Sequence, residues 1–195
     1  MKVNNIKLVL IILSWILSFT ITAQSYDRSA LSHSKKQWFV SSGFGVQISG
    51  IKEEDFIITN IAPAISVTSG FWLAPAIGLE LSYKGPYFNY IEDDDRHSYL
   101  FILAEVLFNV NEIVNGKKKM KNRWSFIVHS GQGYFYNNYF NQSQLNMNGG
   151  IINNIKLTER IDVFMDVSFI VGWDIYQGDE DILPSAVLGV SYLFK

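Results

Sequence analysis

The chain has 195 residues, of which 48% are hydrophobic, 15% aromatic and only 17% charged, which suits one compact domain with an apolar surface and excludes a disordered protein. Its net charge of −2, from 16 basic and 18 acidic residues, lacks the clustered basic excess of a nucleic-acid-binding protein, so we expect no nucleic-acid partner. Cysteine is absent, which excludes a disulfide framework, a thiolate metal site and a lipidated N-terminal cysteine.

The N-terminal segment is typical of a secretory signal peptide. Lys2 and Lys7 precede an uncharged apolar run over 8–19, and a short polar stretch then leads to Ala23. A membrane anchor is the alternative, but the run is shorter than the roughly 20 apolar residues of a transmembrane helix. We therefore predict cleavage after Ala23. The predicted domains are 1–23, a signal peptide; 24–36, a polar leader; and 37–195, the rest of the chain as one domain.

The rest of the chain shows no long helical periodicity. Instead, eight stretches alternate apolar residues with small or polar ones, which is the period of a β-strand, and turn-rich segments separate them. The predicted strands are 37–49, 65–71, 77–84, 99–110, 123–136, 149–158, 162–175 and 188–195. Alternation is strongest in 162–175, where Ile175 falls on the apolar side, and weakest in 149–158.

A few residues break the alternation. Phe101 and Leu103 fall on the polar side of the fourth strand, whereas Ser130 and Gln132 fall on the apolar side of the fifth. Asn153 likewise falls on the apolar side of the sixth strand. The faces of these three strands are therefore predicted to be mixed.

The side-chain size on each face predicts which one is inside. Small residues suit the crowded interior of a narrow barrel, and bulky ones suit a lipid-facing surface. A soluble lipocalin-type barrel has its apolar face inside and an exterior rich in charge, which this chain lacks. We therefore predict that the face rich in glycine is the inner one. Its glycines are Gly43, Gly45, Gly70, Gly78, Gly131, Gly133, Gly172 and Gly189.

Aromatic residues lie near the strand ends of the other face. Membrane β-barrels carry such residues as girdles at the two lipid–water interfaces. One predicted girdle consists of Trp38, Phe71, Phe108, Trp124, Tyr192 and Phe194, and the other of Tyr83, Tyr136 and Trp173.

A sheet surrounded by hydrocarbon must close, because each unpaired backbone group there costs several kcal/mol. The predicted fold class is therefore all-β, an eight-stranded antiparallel transmembrane β-barrel. Side chains fill the interior of so small a barrel, so we expect a hydrogen-bonded, partly hydrated polar plug and no open pore. Its predicted members are Glu80, Lys84, Glu105, Arg123, Lys156, Asp162, Asp166 and Asp174.

An even number of strands places both termini on one side, which export would make the periplasm. The predicted outer loops are 50–60, 85–98, 137–146 and 177–184, and the predicted inner turns are 73–75, 112–122 and 158–160. The second of these turns is basic, with Lys117, Lys118, Lys119 and Lys121. We interpret it as a solvated turn, with contact to anionic lipid or another envelope component as the alternative.

Three stretches carry a resemblance to a known family: FWLAPAIGL at 71–79, 105–110 leading to RWSFI at 123–127, and NIKLTERID at 154–162. Over most of 37–195 the sequence resembles the OmpA-like transmembrane barrel family of Gram-negative outer membranes. The resemblance implies a location in the cell outer membrane, contact with outer-membrane lipids and insertion by the barrel-assembly machinery, whose aromatic C-terminal signal the segment 190–194 resembles. Family members often carry a periplasmic peptidoglycan-binding domain. We do not expect that activity, because the last predicted strand reaches Lys195.

Catalytic and metal-binding interpretations rest on few residues. His33, His97 and His129 each precede a serine, but neighbours on a strand point to opposite faces. We interpret His97 as part of a solvated outer loop, His129 as a structural hydrogen-bonding group in the lumen and His33 as part of the leader. The acidic stretches 92–95 and 179–181 lack calcium-loop spacing; they are predicted to be solvated, or to bridge lipopolysaccharide phosphates through divalent ions.

We therefore assign no catalytic, cofactor-binding or metal-binding residue and no cofactor. The sequence predicts a non-enzymatic outer-membrane barrel with an envelope-structural or surface-interaction role. The alternatives are a lipid-modifying enzyme of the acyl hydrolase or acyltransferase type and a small diffusion channel. No specific protein or ligand partner is indicated.

Overall fold

The computed structural model describes residues 37–49, 60–89, 95–115, 123–173, 175 and 180–194. The predicted signal peptide and leader, and the four lysines of the basic turn, lie outside the described residues. The strands are β1 (Gln37–Ile48), β2 (Ile61–Ala74), β3 (Ile77–Asn89), β4 (Arg96–Asn109), β5 (Trp124–Asn137), β6 (Gln142–Lys156), β7 (Ile161–Trp173) and β8 (Glu180–Leu193), with one helix, α1 (Val110–Asn115), after β4. Within the described ranges, no helix has the length and apolarity needed to cross a membrane.

The eight strands form a closed antiparallel barrel. Each strand pairs with its sequence neighbours, and β1 also pairs with β8, so the sheet has no free edge. Phe44 of β1, for example, lies opposite Ile65 of β2 on one side and Leu188 of β8 on the other. The predicted all-β, eight-stranded barrel is confirmed.

The alternation of side chains places the bulky residues on the outside. On β7, Met165 and Val167 are exposed, whereas Phe164 and Asp166 between them are buried. On β1, Phe44 is exposed while the flanking Gly43 faces Ser66 inside the barrel. The prediction that the bulky face points outward is therefore confirmed.

Several strands are longer than predicted. β3 continues to Asn89, β6 begins at Gln142 and β8 begins at Glu180, so the predicted outer loops 85–98, 137–146 and 177–184 are wrong over part of their length. These extensions contain asparagine, glutamine and proline, which have low strand propensity. Pairing supports them: Gln142 lies opposite Asn137 and Pro184 opposite Phe169.

The structure adds one short helix, α1, to the strands that the alternation predicted. This helix has six residues, too few to show a helical period. Asn109 caps its start, since the Asn109 Oδ1 accepts a hydrogen bond from the Glu112 backbone N–H at 3.3 Å. The Asn111 Oδ1 accepts another from the Phe126 N–H at 2.7 Å, which holds the helix against β5.

We call the end of the barrel with the β2–β3 turn at 75–76 the turn end, and the opposite end the loop end. Apolar side chains fill the interior near both. The loop-end cluster consists of Phe88, Tyr99, Phe101, Leu103, Phe135, Ile170, Ile175 and Leu183. The turn-end cluster consists of Phe39, Leu107, Ile127 and Leu193, with Trp72 and Ile152 against it.

The loop-end cluster explains two anomalies of the sequence. Phe101 and Leu103, apolar on a polar face, belong to this cluster. Ile175 was predicted on the outward face of the seventh strand. Because β7 already ends at Trp173, the alternation of that strand does not extend to Ile175, and its side chain is buried.

Candidate functional site

Four ionisable side chains meet inside the barrel between the two apolar clusters. They are Lys84 on β3, Glu105 on β4, His129 on β5 and Asp166 on β7, and they are 1% to 8% exposed. Each lies on the inward parity of its strand, which is why residues from four separate strands reach one place.

Hydrogen bonds join these side chains into a chain of alternating acid and base. His129 Nδ1 lies 2.8 Å from Glu105 Oε1, and its Nε2 lies 3.0 Å from Asp166 Oδ1. Lys84 Nζ donates to Asp166 Oδ2 at 3.3 Å. Since β3 and β7 are four strands apart in an eight-stranded barrel, the Lys84–Asp166 contact crosses the lumen.

Two further polar residues hydrogen-bond to this series of acidic and basic side chains. Lys84 Nζ donates to Ser168 Oγ at 2.8 Å, and Ser168 Oγ donates to Asp166 Oδ2 at 3.3 Å. On β6, Asn148 Nδ2 donates to Glu105 Oε1 at 2.7 Å. We call Lys84, Glu105, His129, Asp166, Asn148 and Ser168 the lumen network.

Glu80 lies beside this network. On the inner face it is the direct cross-strand partner of Glu105, an arrangement in which like charges repel. The Glu80 Oε1 accepts one long hydrogen bond, from Ser82 Oγ at 3.5 Å. One potential ligand atom from each of Glu80, Glu105 and His129 lies within 4.8 Å of the others, so these residues could together hold a metal ion.

A small cavity lies between the network and the turn-end cluster. Its volume is about 60 Å³, enough for water, and its wall includes Glu80, Lys84 and Asp166 as well as the apolar Phe39 and Trp72. Asp162 also lines it, and the Asp162 Oδ2 accepts a hydrogen bond from Asn154 Nδ2 at 2.8 Å.

The structure places five of the eight predicted plug residues inside the barrel: Glu80, Lys84, Glu105, Asp162 and Asp166. The prediction was wrong for Arg123 and Lys156, which are exposed. The Lys156 N–H donates to the Arg123 carbonyl oxygen at 2.7 Å, so both lie at the rim of the turn end, where long basic side chains extend into water. Asp174 lies outside the described residues.

The nine aromatic residues of the predicted girdles all lie on the outward parity of their strands or directly after one, with exposed or half-exposed side chains. At the turn end, the Trp38 and Phe71 rings are 4.8 Å apart, and those of Tyr192 and Phe194 are 5.0 Å apart. Tyr136 and Trp173 lie near the loop end, whereas Tyr83 lies at the middle of β3.

The structure also locates two of the three histidines. His129 faces the lumen and meets two carboxylates, a link between strands that the sequence did not reveal. His97 was predicted in a solvated loop, but it lies in β4, is buried, and stacks on Tyr139 with ring centroids 3.8 Å apart. Ser98 points to the opposite face, where its Oγ accepts from Asn138 Nδ2 at 3.0 Å. His33, residues 92–94 and Asp179 lie outside the described residues.

Known structures share this architecture. The chain is similar to the Neisserial surface protein A, with a TM-score of 0.57 and 8% identity over 83% of this chain and 100% of that one. It is also similar to OprG of Pseudomonas aeruginosa, with a TM-score of 0.53 and 12% identity over 83% and 97% of the two chains. A third similar structure is the N-terminal β-barrel domain of OprF from the same organism, with a TM-score of 0.50 and 15% identity over 80% and 97%.

No model of a protein family matches the sequence, and no curated protein matches it. The structural similarities, at such low identity, concern the fold. The chain therefore has the eight-stranded antiparallel fold of outer-membrane β-barrels, the fold that its resemblance to the OmpA-like family implied.

Proposed function

We propose that the protein resides in the outer membrane as a non-enzymatic barrel with a closed lumen and an envelope-structural or surface-interaction role. The observation that carries this proposal is the apolar outer wall. Phe44, Leu145 and Leu188, on three different strands, are 64%, 69% and 63% exposed. Soluble monomers rarely expose apolar patches of more than several hundred Å². Acyl chains would remove this wall from water.

The spacing of the aromatic residues supports the same environment. Trp124 and Tyr136 lie on the outward face of β5 near its two ends. The strand between them is roughly 40 Å long, which at a barrel tilt of about 40° spans about 30 Å, the thickness of a bilayer core. Outer-membrane lipids are therefore the proposed partners of this surface.

Export through the signal peptide, insertion by the barrel-assembly machinery and periplasmic termini belong to the same proposal. β1 begins and β8 ends at the turn end of the barrel, which supports termini on one side. N-terminal sequencing of the protein from an outer-membrane fraction should begin at Gln24. Retention of Met1 would contradict export by cleavage.

The non-enzymatic role is supported by the surroundings of the histidines. Both ring nitrogens of His129 face carboxylates, and Ser98 lies on the face opposite to His97. We expect the purified protein to neither hydrolyse nor transfer acyl chains of phospholipid or lipopolysaccharide. Acyl release that Ser98→Ala abolishes, in a variant that still folds, would establish the lipid-modifying alternative instead.

The proposal is tested by gel migration. The protein is extracted with detergent from an outer-membrane fraction and run with and without boiling. A hydrogen-bonded barrel should resist the cold detergent and migrate differently from its boiled form. The same protein should aggregate when detergent is removed. A mature chain that stays soluble and monomeric in detergent-free buffer would overturn the proposal.

A further inference from the structure

We propose that Glu80, Glu105 and His129 bind one divalent transition-metal ion, of which Zn²⁺ fits best, inside the barrel. An imidazole with two carboxylates is a ligand set that zinc accepts. Ligand atoms about 2.1 Å from a common ion lie roughly 3.4 Å apart in tetrahedral geometry. The three groups lie within 4.8 Å of one another, so side-chain movements of about one ångström would close the site.

The charges of the site call for a cation. Glu80 and Glu105 face each other on neighbouring strands, and Lys84, which also lies in the lumen, is engaged with Asp166 and Ser168. Glu105 is 2% exposed, yet its Oε2 accepts no hydrogen bond from any described residue. A buried carboxylate oxygen without a donor is unfavourable, and a metal ion would supply the missing interaction.

The surroundings of His129 match those of a metal ligand. In metal sites the imidazole commonly binds the ion through one nitrogen and donates its other N–H to a carboxylate. Here Nδ1 faces Glu105, while Nε2 lies 3.0 Å from Asp166 Oδ1. Lys84 and Ser168 hold Asp166 in turn. A metal ion would replace the proton between Nδ1 and Glu105 and leave the Nε2–Asp166 bond intact.

The cavity provides space for a further ligand. Glu80 lies in the cavity wall, so a water molecule there could complete the coordination of an ion bound by three protein ligands.

The test uses untagged, folded protein in detergent micelles, treated with a chelator and then freed of it. Calorimetric titration with Zn²⁺, and the visible absorption of Co²⁺ as a probe of coordination, should each show one ion per chain. Glu80→Gln and Glu105→Gln should each lower the affinity about tenfold or more, and Asp166→Asn should lower it about 10- to 100-fold. Asp162→Asn is the matched control, because Asp162 is also buried and inward-facing but is hydrogen-bonded to Asn154 and does not belong to the group of three potential ligands. The affinity of this variant for Zn²⁺ should be unchanged.

Each variant is first checked for heat-modifiable migration, so that loss of binding is not confused with loss of the fold. Should Glu105→Gln fail to fold, Glu80→Gln decides the question, since the only hydrogen bond of the Glu80 side chain to a described residue is the long one from Ser82. The proposal is overturned if the folded wild-type protein binds no Zn²⁺, or if Glu80→Gln binds as tightly as Asp162→Asn. Neither outcome bears on the membrane location, which the gel and solubility experiments test separately.

Discussion

At the scale of single residues, Gln132 conflicts with its proposed surroundings. It lies on the outward face of β5, between the positions of Trp124 and Tyr136, and is exposed. Its side chain hydrogen-bonds to no residue in the described part of the chain. Hydrocarbon offers no partner for an amide, so Gln132→Leu should stabilise the barrel in lipid by about 1–3 kcal/mol, measured by denaturant unfolding in vesicles.

The matched control is Gln142→Leu, at the loop-end start of β6, where Gln142 is exposed near the edge of the barrel. This substitution should change the free energy of unfolding by no more than about 0.5 kcal/mol. If Gln132→Leu instead destabilised the protein or caused aggregation of the folded form, the outer wall of β5 would face water.

Two glycines of the same hairpin differ in the space around them. A Cβ at Gly131, on the inner face of β5, would lie 2.0 Å from the Ala104 carbonyl oxygen, a backbone atom that cannot easily move. A Cβ at Gly149, on the outer face of β6, would meet its nearest atom at 3.6 Å. Gly131→Ala should therefore destabilise the barrel by about 1–3 kcal/mol.

Gly149→Ala should have no effect or stabilise the barrel by up to about 1 kcal/mol, since alanine restricts the unfolded chain. The free energy of unfolding of each glycine variant is measured by denaturant unfolding in vesicles. Equal effects of the two substitutions would show that β4 and β5 do not approach as closely at Gly131 as the structure indicates.

At the scale of elements, the contact between Lys84 and Asp166 connects β3 to β7 across the lumen. Removing one partner leaves the other charge buried without this ion pair, although Asp166 keeps its contacts with His129 and Ser168. Lys84→Met and Asp166→Leu should therefore each cost up to about 3–5 kcal/mol. The double variant should lose less than the sum of the two, because neither charge remains. Lys156→Met, at the exposed rim, is the control and should change stability little. Additive losses in a double-mutant cycle would mean that the two strands are not coupled through this pair.

β6 and β7 show how far strand prediction reaches. On β7 every outward position from Val163 to Trp173 is apolar, and the inward positions are small or polar apart from Phe164 and Ile170. The observed strand, Ile161–Trp173, follows the prediction closely. The start of β6 was missed by seven residues, because 142–148 is rich in glutamine and asparagine and its strand conformation depends on pairing with β5. The turn between β5 and β6 is also stabilised by a local polar contact, since the Asn137 Oδ1 accepts a hydrogen bond from the Tyr139 N–H at 3.0 Å.

At the scale of the whole molecule, the loop-end cluster and the turn-end cluster lie on either side of the lumen network, and a smaller apolar cluster of Ala64, Phe164 and Val187 lies beside the network. The described interior thus combines apolar packing near both ends with buried ion pairs between them. We predict that the purified, folded protein shows no stable ion conductance in planar bilayers. Conductance steps from protein that passes the heat-modifiability test would favour the diffusion-channel alternative. The variant Arg123→Ala, altered at the rim, should likewise show no stable ion conductance.

The sequence by itself determined the strand number, the closed fold and the face of each strand that points outward, because alternation between bulky and small residues is a local property that every strand carries. Only the tertiary structure decided which inward residues meet. Glu105 and His129 lie on strands joined by the long connection 110–123, and Lys84 and Asp166 lie on opposite walls, so their contacts depend on strand register and barrel closure. Register is a property of the whole barrel, because the pairing of every strand must be compatible with that of its two neighbours at once.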